Sequence, residues 1–307
     1  MKLKRTALPV LVSLIVSYSA ISQTKESLSI VSYNVLYGFN HGTAEKNAIQ
    51  WIQKEKPDII AFQELKGYSK TRFKELAQKW QHNYSYLWER TRASQPIAIS
   101  SNAPITSVKE IKKKKSDRGY LIAESNGIHF IIVHLHPNNR NKRAQELQSI
   151  LQSCDSLTKL QRDFCVLGDF NAMLPSDKDY ADTHLKPRLA NRIKKGKCGD
   201  LNTTCLDWDY TVLQKITKTN WVDVIGLHLL NKEKYIKENR YGTFPSTASE
   251  NISSIEVRNQ HLHRLDHVFM NPRIAEKVID ARIFQEPQQE IISDHYPVRV
   301  RLSRYVK

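Results

Sequence analysis

The sequence lacks the features that usually divide a chain or hold it in a membrane. It has no Gly/Ser-rich or Pro-rich linker and no internal repeat. After residue 23 it has no apolar run as long as the roughly 18 residues that a membrane-spanning helix requires. A chain of 307 residues can form one large α/β domain or two ordinary ones. Because nothing divides this chain, we expect one domain.

Acidic residues are scarce relative to basic ones. The chain has 31 Asp and Glu against 47 Lys and Arg, which gives a formal net charge of +16. A strongly basic protein attracts polyanions such as nucleic acid or an acidic membrane surface. Part of the charge lies in two short runs, IKKKK at 111–115 and RIKKGK at 192–197. Each run by itself is more typical of a solvated loop than of a specific binding element.

The N-terminal segment has the three-part pattern of a secretory signal peptide. Basic residues precede an apolar stretch from Ala7 to about Val16, and small residues follow near 19–22. The alternative is a membrane anchor, which the short, serine-interrupted stretch disfavours. We therefore predict a cleaved signal peptide over 1–22, a mature domain over 23–307, and a secreted or periplasmic protein. No cysteine lies near the boundary, so a lipid-anchored form is not expected.

Cysteine is sparse, with four residues in the chain. Cys198 and Cys205 lie in the polar, turn-rich stretch KCGDLNTTC. We predict a disulfide between them, because an exported protein permits disulfides. Cys154 lies in a helical pattern and Cys165 in an apolar strand, where buried free thiols are also common. The sequence leaves the state of that second pair open.

Helix and strand patterns alternate early in the chain, and a series of consecutive strands follows. Helices are expected near 43–54, 70–80 and 141–160. The strand patterns are LSIVSYNVL, DIIAFQEL, YSYLWER, PIAISS, ITSVKEI, GYLIAES, IHFIIVHLH, DFCVLGDF, LHRLDHVFM and HYPVRVRL. Residues 175–206 are expected to form an extended, charged loop with helical turns. The mixture predicts an α/β protein whose largely antiparallel strands pack in layers under helices.

Several apolar strands end in polar side chains that a strand interior would not favour. In VLGDFNAML, positions i and i+2 of a strand point to the same side, so Asp169 and Asn171 are expected to face one pocket. For that stretch alone, a simple turn is the alternative. The other strand-end residues are Asn34, Glu64, His134, Asp266, Asp294 and His295. Oxygen ligands gathered in this way suit Mg²⁺ or Mn²⁺ and leave room for water and a phosphate.

The same stretches carry a family resemblance. SYNVL, FQEL, VHLHP, GDFNAM, RLDHVF and SDHYPV occur in this order and cover nearly all of the mature chain. The ordered set resembles the endonuclease/exonuclease/phosphatase superfamily of deoxyribonuclease I-like, metal-dependent phosphoesterases. The resemblance implies a four-layered α/β sandwich, with two mixed, mostly antiparallel sheets face to face and helices outside. It also implies a metal-assisted attack of water on a phosphate ester.

The resemblance and the side-chain chemistry together suggest which residues hold the metal. Glu64 is expected to bind Mg²⁺ or Mn²⁺ directly, with Asn34 beside it. Asp294 is expected to reach the same ion or a second metal position. For Asn34, a structural turn amide is the alternative.

Five further residues are expected to act in catalysis. Asp169 would orient or deprotonate the attacking water, and Asn171 would hold that water or a phosphate oxygen. His295 would donate a hydrogen bond to the phosphate as charge builds on it. Asp266 would fix the orientation and protonation of His295. His134 would contact the phosphate, with a buried structural histidine as the alternative.

Three basic side chains are candidate substrate contacts. Arg118 lies at the start of a strand, and His263 and Arg264 shortly precede Asp266. For His263 and Arg264, plain surface is the alternative. The two HLH triplets at 134–136 and 261–263 also raise the alternative of a zinc site, which the lack of an accompanying cysteine motif disfavours.

One departure from the family pattern concerns the rim of the expected cleft. Family members often carry a glycine just before the strand that is written PIAISS here, whereas this chain has Gln95 and Pro96. The loop 88–96 is expected to line the cleft rim. The way a substrate fits there is therefore open.

The resemblance does not fix which phosphate ester is cleaved. Nucleic acid is the first choice because a strongly basic surface favours phosphate-rich polymers, although the sequence shows no clear stacking platform or groove-reading helix. A sphingomyelinase-like lipid phosphodiesterase is the alternative, and the aromatic residues considered for it are Trp80, Tyr84, Tyr86 and Trp88. The last three alternate as in a packed strand. An inositol or sugar phosphatase ranks third, and a non-catalytic basic binding protein last. We expect a monomer.

Overall fold

The structure, a computed structural model, describes residues 26–90, 95–112, 118–194, 207–229, 237–238 and 241–304. The predicted signal peptide and the predicted disulfide between Cys198 and Cys205 lie outside the described residues. The buried Cys154 and Cys165 are free thiols, which settles the pair that the sequence left open. No helix within the described ranges is both long enough and apolar enough to cross a bilayer.

Twelve described strands form two six-stranded sheets. The strands are β1 Ser27–Asn34, β2 Ile59–Gln63, β3 Tyr84–Trp88, β4 Ile97–Ser101, β5 Ile105–Ile111, β6 Tyr120–Ser125, β7 Ile128–His134, β8 Asp163–Asp169, β9 Val222–Asp223, β10 Asp266–Met270, β11 Val278–Ile283 and β12 Val298–Ser303. The first sheet has the order β11-β12-β1-β2-β4-β3, and the second has the order β5-β6-β7-β8-β10-β9.

Nine helices accompany the sheets in the described ranges. They are α1 Glu45–Glu55, α2 Lys70–Gln78, α3 Arg140–Lys159, α4 Lys178–His184, α5 Lys186–Lys194, α6 Val224–His228, α7 Ile255–Asn259, α8 Pro272–Ala275 and α9 Gln289–Ile292. Short polar caps start two of the longer ones. The Ser69 side chain accepts a hydrogen bond from the backbone of Arg72, and the Asn139 side chain accepts one from Lys142.

One pair of neighbouring strands in each sheet is parallel. β1 pairs with β2, and β7 pairs with β8. α1 and α3 are the crossover helices that such parallel connections require. The carboxyl ends of all four strands consequently meet along one edge of the sandwich, and there Asn34 pairs with Gln63 while His134 pairs with Asp169.

The core is divided into three apolar layers by the alternation of side chains along each strand. The layer between the sheets contains Ile30, Ile59 and Ile99 from the first sheet and Phe130 and Leu167 from the second. The outer face of the first sheet packs on α1 and α2, and the outer face of the second packs on α3. This arrangement is the predicted four-layered α/β sandwich.

The sequence patterns missed or misplaced several smaller elements. The first strand ends at Asn34, short of the predicted Leu36, because the backbone turns into left-handed conformations at 36–41. The expected loop after residue 175 contains α4 and α5. The edge strand β11 and the short helices α8 and α9 were not predicted. β11 has few fully buried residues, so its sequence VIDARI carries little strand signal.

Candidate active site

Asp169 lies at the centre of the polar strand ends. It closes β8, and its side chain is 2% exposed. One carboxylate oxygen, Oδ2, accepts hydrogen bonds from the amide nitrogens of Asn34 and Asn171, each at 3.1 Å. The other, Oδ1, accepts one from the backbone N–H of Asn171 at 2.7 Å. Burial raises the pKa of Asp169 to about 7; the charge of Asp266 adds to this shift and that of His295 opposes it.

The GDFN stretch forms a turn and also carries two of the candidate active-site residues, Asp169 and Asn171. Asn171 has a φ of 48°, and its backbone bond to the Asp169 side chain is a local turn of the kind that Asp and Asn favour. Gly168 has a φ of 140°, and a Cβ there would lie 2.1 Å from the carbonyl oxygen of Val133. The glycine therefore lets β7 approach closely enough to bring His134 beside Asp169.

The first sheet contributes Asn34 and Glu64. The Asn34 amide donates to Glu64 Oε1 at 3.4 Å, so one amide links the carboxylates of Glu64 and Asp169. Glu64 follows β2 with a φ of 64°, and its Oε2 accepts a hydrogen bond from the backbone of Tyr37 at 3.3 Å. The Glu64 side chain is 17% exposed, which gives this carboxylate access to the cleft.

His295 and Asp266 form a buried ion pair. His295 Nδ1 donates to Asp266 Oδ2 at 2.8 Å, and its Nε2 lies 3.8 Å from Asp169 Oδ2. Burial alone would lower the pKa of His295, but the charges of Asp266 and Asp169 outweigh it and raise that pKa well above its ordinary value. Below Asp266, the Thr243 hydroxyl accepts hydrogen bonds from the backbones of Leu265 and Asp266.

His134 is in the opposite electrostatic situation. It is 1% exposed, and its Nε2 lies 3.6 Å from Glu64 Oε1 and 3.5 Å from Asp169 Oδ2. Burial lowers the pKa of His134 well below its ordinary value, and the guanidinium groups of Arg118 and Arg90 lower it further. His134 is therefore a neutral imidazole. Its Nδ1 has no hydrogen-bond partner within the described part of the chain.

Arg118 lies at the same edge, as predicted from its position before β6. It is 7% exposed, and its Nη1 donates to the carbonyl oxygen of Leu135 at 3.3 Å. Burial lowers its pKa, whereas the charges of Asp169 and Glu64 raise it. The structure thus brings together Asn34, Glu64, Arg118, His134, Asp169, Asn171, Asp266, Asp294 and His295.

Arg264 was predicted to be either a substrate contact or a plain surface residue, and the structure contradicts both interpretations. Its side chain is fully buried, and its guanidinium donates to Asp177 at 2.8 Å and to both oxygens of Asp223 at 3.0 and 2.8 Å. Its charge is therefore neutralised away from the cleft. His263 is also buried, and the ring of Phe244 lies between it and His295. Neither residue contacts the Asp169 cluster.

Two residues at this edge were missed by the sequence patterns. Arg90 follows β3, donates to the carbonyl oxygen of Gly119 at 2.6 Å and lies over the ring of Trp88. Tyr37 follows Asn34 in the stretch LYGFN and bonds to Glu64 through its backbone. Tyr37 lies three residues after Asn34, and the sequence carried no signal for its place beside the site.

The donor set fits a hard divalent cation. Burial raises the pKa of Glu64, and the charge of Asp294 raises it further against the opposing charge of His295. Burial also raises the pKa of Asp294, which shares the repulsion of Asp266. A cation would relieve this repulsion, and the carboxylates with the Asn34 amide oxygen are the ligands that Mg²⁺ and Mn²⁺ prefer.

The zinc alternative gains no support from the HLH triplets. The described residues contain no group of three His, Cys, Asp or Glu side chains arranged as a ready-made metal site. Mg²⁺ needs no such cage, because it is commonly bound by one or two carboxylates together with water and substrate phosphate. His136 Nδ1 accepts a hydrogen bond from the backbone of Asn138, in the loop that leaves the strand.

Comparison with known proteins agrees with this fold. A sequence profile described as "Endonuclease/Exonuclease/phosphatase family" matches residues 31–193, just over half of the chain. The match includes Asn34, Glu64, His134 and Asp169. No curated protein sequence matches the chain.

Several solved structures share the fold. An AP endonuclease from Archaeoglobus fulgidus superposes with a TM-score of 0.61 at 19% identity, covering 91% of this chain and 100% of that one. A 3' phosphatase from Neisseria bound to a product DNA hairpin has a TM-score of 0.65 at 18% identity, covering 90% and 99%. A 3'-5' exonuclease from Neisseria meningitidis gives 0.61 at 16%, covering 90% and 100%.

At these identities the structural matches demonstrate the fold alone, and the sequence profile demonstrates the family. With the strand-end residues gathered at one edge of the sandwich, the chain belongs to the Endonuclease/Exonuclease/phosphatase family of hydrolytic phosphoesterases.

Proposed function

We propose that this protein is a Mg²⁺- or Mn²⁺-dependent phosphodiesterase that hydrolyses nucleic acid. The observation that carries the proposal is the cluster around Asp169. In it the Asn34 amide is hydrogen-bonded to Glu64 and Asp169, and His134 Nε2 of the second sheet lies 3.5 Å from Asp169. The buried ion pair of His295 and Asp266 completes it.

Each residue of the cluster has its own role in the proposed reaction. Asp169 accepts the proton of the attacking water, and Asn171 holds that water or a phosphate oxygen. The protonated His295 donates a hydrogen bond to the phosphate oxygen on which negative charge grows, with Asp266 holding its imidazole in place. Neutral His134 contacts the phosphate through Nε2, 3.5 Å from Asp169.

Glu64, Asn34 and Asp294 are the residues that would hold the cation. When bound there, a divalent cation supplies Lewis-acid stabilisation of the charge that develops on the phosphate. Arg118 adds a fixed positive charge at the same edge, and its burial strengthens its interaction with an anionic substrate.

Nucleic acid is favoured over other esters by charge and by the relatives. The whole chain carries a net charge of +16, and the mature domain would keep +13 because the predicted signal peptide contains three basic and no acidic residues. A phosphate-rich polymer favours such a surface independently of sequence. One structural relative is a 3' phosphatase bound to a product DNA hairpin. In the aromatic strand β3, Trp88 is buried and the Tyr86 hydroxyl donates to Glu110, which leaves Tyr84 alone of its three aromatic residues exposed. A single exposed ring gives little support to a lipid substrate.

The test compares purified protein on plasmid DNA, sphingomyelin vesicles and a small chromogenic phosphodiester, each with Mg²⁺ and with excess chelator. We expect cleavage of DNA and of the chromogenic diester with Mg²⁺ and none with chelator. Full turnover in excess chelator would refute the metal dependence. Release of phosphocholine without any cleavage of DNA would refute the substrate and leave the catalytic assignment standing.

Export and the monomeric state are further parts of the proposal. The pattern of the first 22 residues supports a cleaved signal peptide. N-terminal sequencing of protein recovered outside the cytoplasm should begin near Gln23, and an intact Met1 on cytoplasmic protein would contradict this. Size-exclusion chromatography with light scattering should give the mass of one chain.

A further inference from the structure

The segment that follows β1 has an unusual backbone. Five of its residues other than glycine have positive φ values, namely Leu36 at 38°, Tyr37 at 49°, Phe39 at 61°, Asn40 at 52° and His41 at 57°. Conformations of this kind are sparsely populated by residues other than glycine, and they persist only where the surrounding structure fixes them. Such strain is concentrated at functional sites, which makes the contacts of this segment worth tracing.

Two inward contacts hold the segment in place. Phe39 is fully buried and packs edge-to-face on Phe62 and Tyr68, with ring centroids 6.1 and 6.0 Å apart. Gly38 lies so close to the chain at 66–68 that a Cβ would come within 2.6 Å of the carbonyl oxygen of Lys66. Phe39 therefore acts as the anchor, and the rings on either side of it point outward.

The outward rings form a stacked pair beside the active site. Tyr37 is 36% exposed, and its ring stacks on that of His41 with centroids 5.0 Å apart and planes 20° apart. The ammonium group of Lys66 lies 4.9 Å from the Tyr37 centroid. The backbone N–H of Tyr37 itself donates to Glu64, a candidate metal ligand, so the residue that carries the ring is bonded directly to the active site.

The electrostatics agree with that position. The charge of Glu64 is the largest cause of the raised pKa of Tyr37, followed by burial and by the charge of Asp294. The charges of the active-site carboxylates therefore act directly on the Tyr37 phenol, although the side chain as a whole is 36% exposed.

We propose that Tyr37 and His41 form a stacking platform for one nucleobase of the substrate, placed next to the phosphate that is cleaved. The proposal rests on nucleic acid being the substrate. A nucleobase has a π-face that stacks on an aromatic ring whatever its sequence. On binding, the exposed Lys66 side chain would move off the Tyr37 ring and contact a flanking phosphate. A choline headgroup fits less well, because the Lys66 ammonium already lies over the Tyr37 ring and repels a second cation.

The experiment separates stacking from charge by removing the bases and keeping the phosphates. Oligothymidylate is compared with a chain of abasic tetrahydrofuran phosphodiesters of the same length. The enzymes are the wild type, Tyr37→Ala, Tyr37→Phe and the control Tyr84→Ala. Tyr84 is 41% exposed and begins β3, at the opposite edge of the first sheet from the active site.

Tyr37→Ala should raise the KM for oligothymidylate about tenfold, the effect of one lost base–aromatic stack. It should leave the abasic chain and a small chromogenic diester within twofold of wild type. Tyr37→Phe should retain wild-type values, since the ring remains, and Tyr84→Ala should change neither substrate.

A second measurement reads stacking without turnover. In an Asp169→Asn background, an oligonucleotide that contains 2-aminopurine should lose fluorescence on binding, and Tyr37→Ala should abolish that quenching. Equal losses on the base-containing and abasic chains, or unchanged quenching, would overturn the platform while leaving the nuclease standing. A wild type that cleaves only the chromogenic diester or lipid would instead overturn the nucleic-acid assignment, and the platform with it.

Discussion

His134 and His295 have pKa shifts of opposite sign although both are buried at the same edge of the sandwich. His295 faces the carboxylates of Asp266 and Asp169, which favour the imidazolium. For His134, burial lowers the pKa most, and the guanidinium groups of Arg118 and Arg90 lower it further. One side chain type therefore supplies a charged donor and a neutral contact, according to which charges surround it.

The residues assigned to proton transfer and phosphate stabilisation can be tested by near-isosteric changes. Asp169→Asn removes the proton acceptor, and His295→Gln keeps a hydrogen-bond partner for Asp266 but cannot carry a positive charge. Each should lower kcat on a chromogenic phosphodiester by about two powers of ten or more. Circular dichroism should show a folded protein in both cases. Near-normal turnover in either variant would show that its assigned role is wrong.

His263 should make the folded protein sensitive to mild acid. Burial lowers its pKa well below the ordinary value, and the charge of Arg188 lowers it further. In the unfolded chain His263 takes up a proton near pH 6.5, whereas in the folded protein it stays neutral to a lower pH. The free energy of unfolding therefore decreases as the pH falls below about 6.5.

His263→Gln should therefore flatten the decline of unfolding free energy between pH 7 and pH 5, by up to about 1.4 kcal/mol per pH unit. Urea denaturation of both proteins at several pH values measures the difference. Parallel curves for variant and wild type would contradict it.

Sequence alone identified most of the cluster residues, because polar side chains at the ends of apolar strands are conspicuous. It did not distinguish Arg264 from a substrate contact. Its partner Asp177 is 87 residues away along the chain, and no local pattern reports such a pairing. Tyr37 was missed for a different reason: its exposure depends on a left-handed backbone that the sequence LYGFN does not announce.

At the scale of elements, the loops that carry the site are held by a buried charge network. Arg264, before β10, bonds to Asp177 in the turn after β8 and to Asp223 at the end of β9. Asp177 also accepts hydrogen bonds from the Tyr241 hydroxyl and from the backbone of Leu174. The network therefore ties the chain that follows the GDFN turn to the segment that precedes β10.

Removing one member should be costly because it leaves the others buried without a partner. Asp177→Ala is expected to lower the free energy of unfolding by about 3–5 kcal/mol. The matched control is Asp182→Ala, since Asp182 forms an exposed ion pair with Lys178 at 2.7 Å, and its loss should cost at most about 1 kcal/mol. Urea denaturation checks both, and equal costs would mean that the buried network contributes nothing special.

The elements themselves were predictable in proportion to their burial. The central strands β1, β2, β7 and β8 are almost continuously buried, and their apolar runs identified them. Their boundaries were less certain, because the capping and turn conformations that end them depend on tertiary contacts. β11 is half-exposed at a sheet edge, where Arg282 and Asp280 interrupt the apolar pattern.

At the scale of the whole molecule, the net charge of +16 is the feature that bears most directly on substrate binding. Part of this charge lies near the active site. Lys112 directly follows β5, whose last residue, Ile111, pairs with Tyr120, two residues after Arg118. Lys112, the first lysine of the basic run, is therefore at the edge of the second sheet that carries the active site.

Cleavage of DNA should accordingly depend on salt. The apparent affinity should fall about tenfold or more between roughly 50 and 200 mM salt if several phosphates are neutralised. Replacing residues 112–115 of the basic run by Gln should flatten that dependence. Initial rates against salt concentration measure it, with a small chromogenic diester as the control that should not respond. An unchanged slope in the Gln variant would place the run away from the bound strand.

The position of β1 between β12 and β2 also determines when the first sheet can form during synthesis. Ser27 pairs with Ser303, so the first sheet is not closed until the last described strand has been synthesised. At about 5–20 residues per second, the ribosome needs on the order of tens of seconds to deliver it. Throughout that time the growing chain lacks His295 as well. The pair of His295 and Asp266 can thus form only when synthesis is almost complete, so the growing chain has no complete active site before that point.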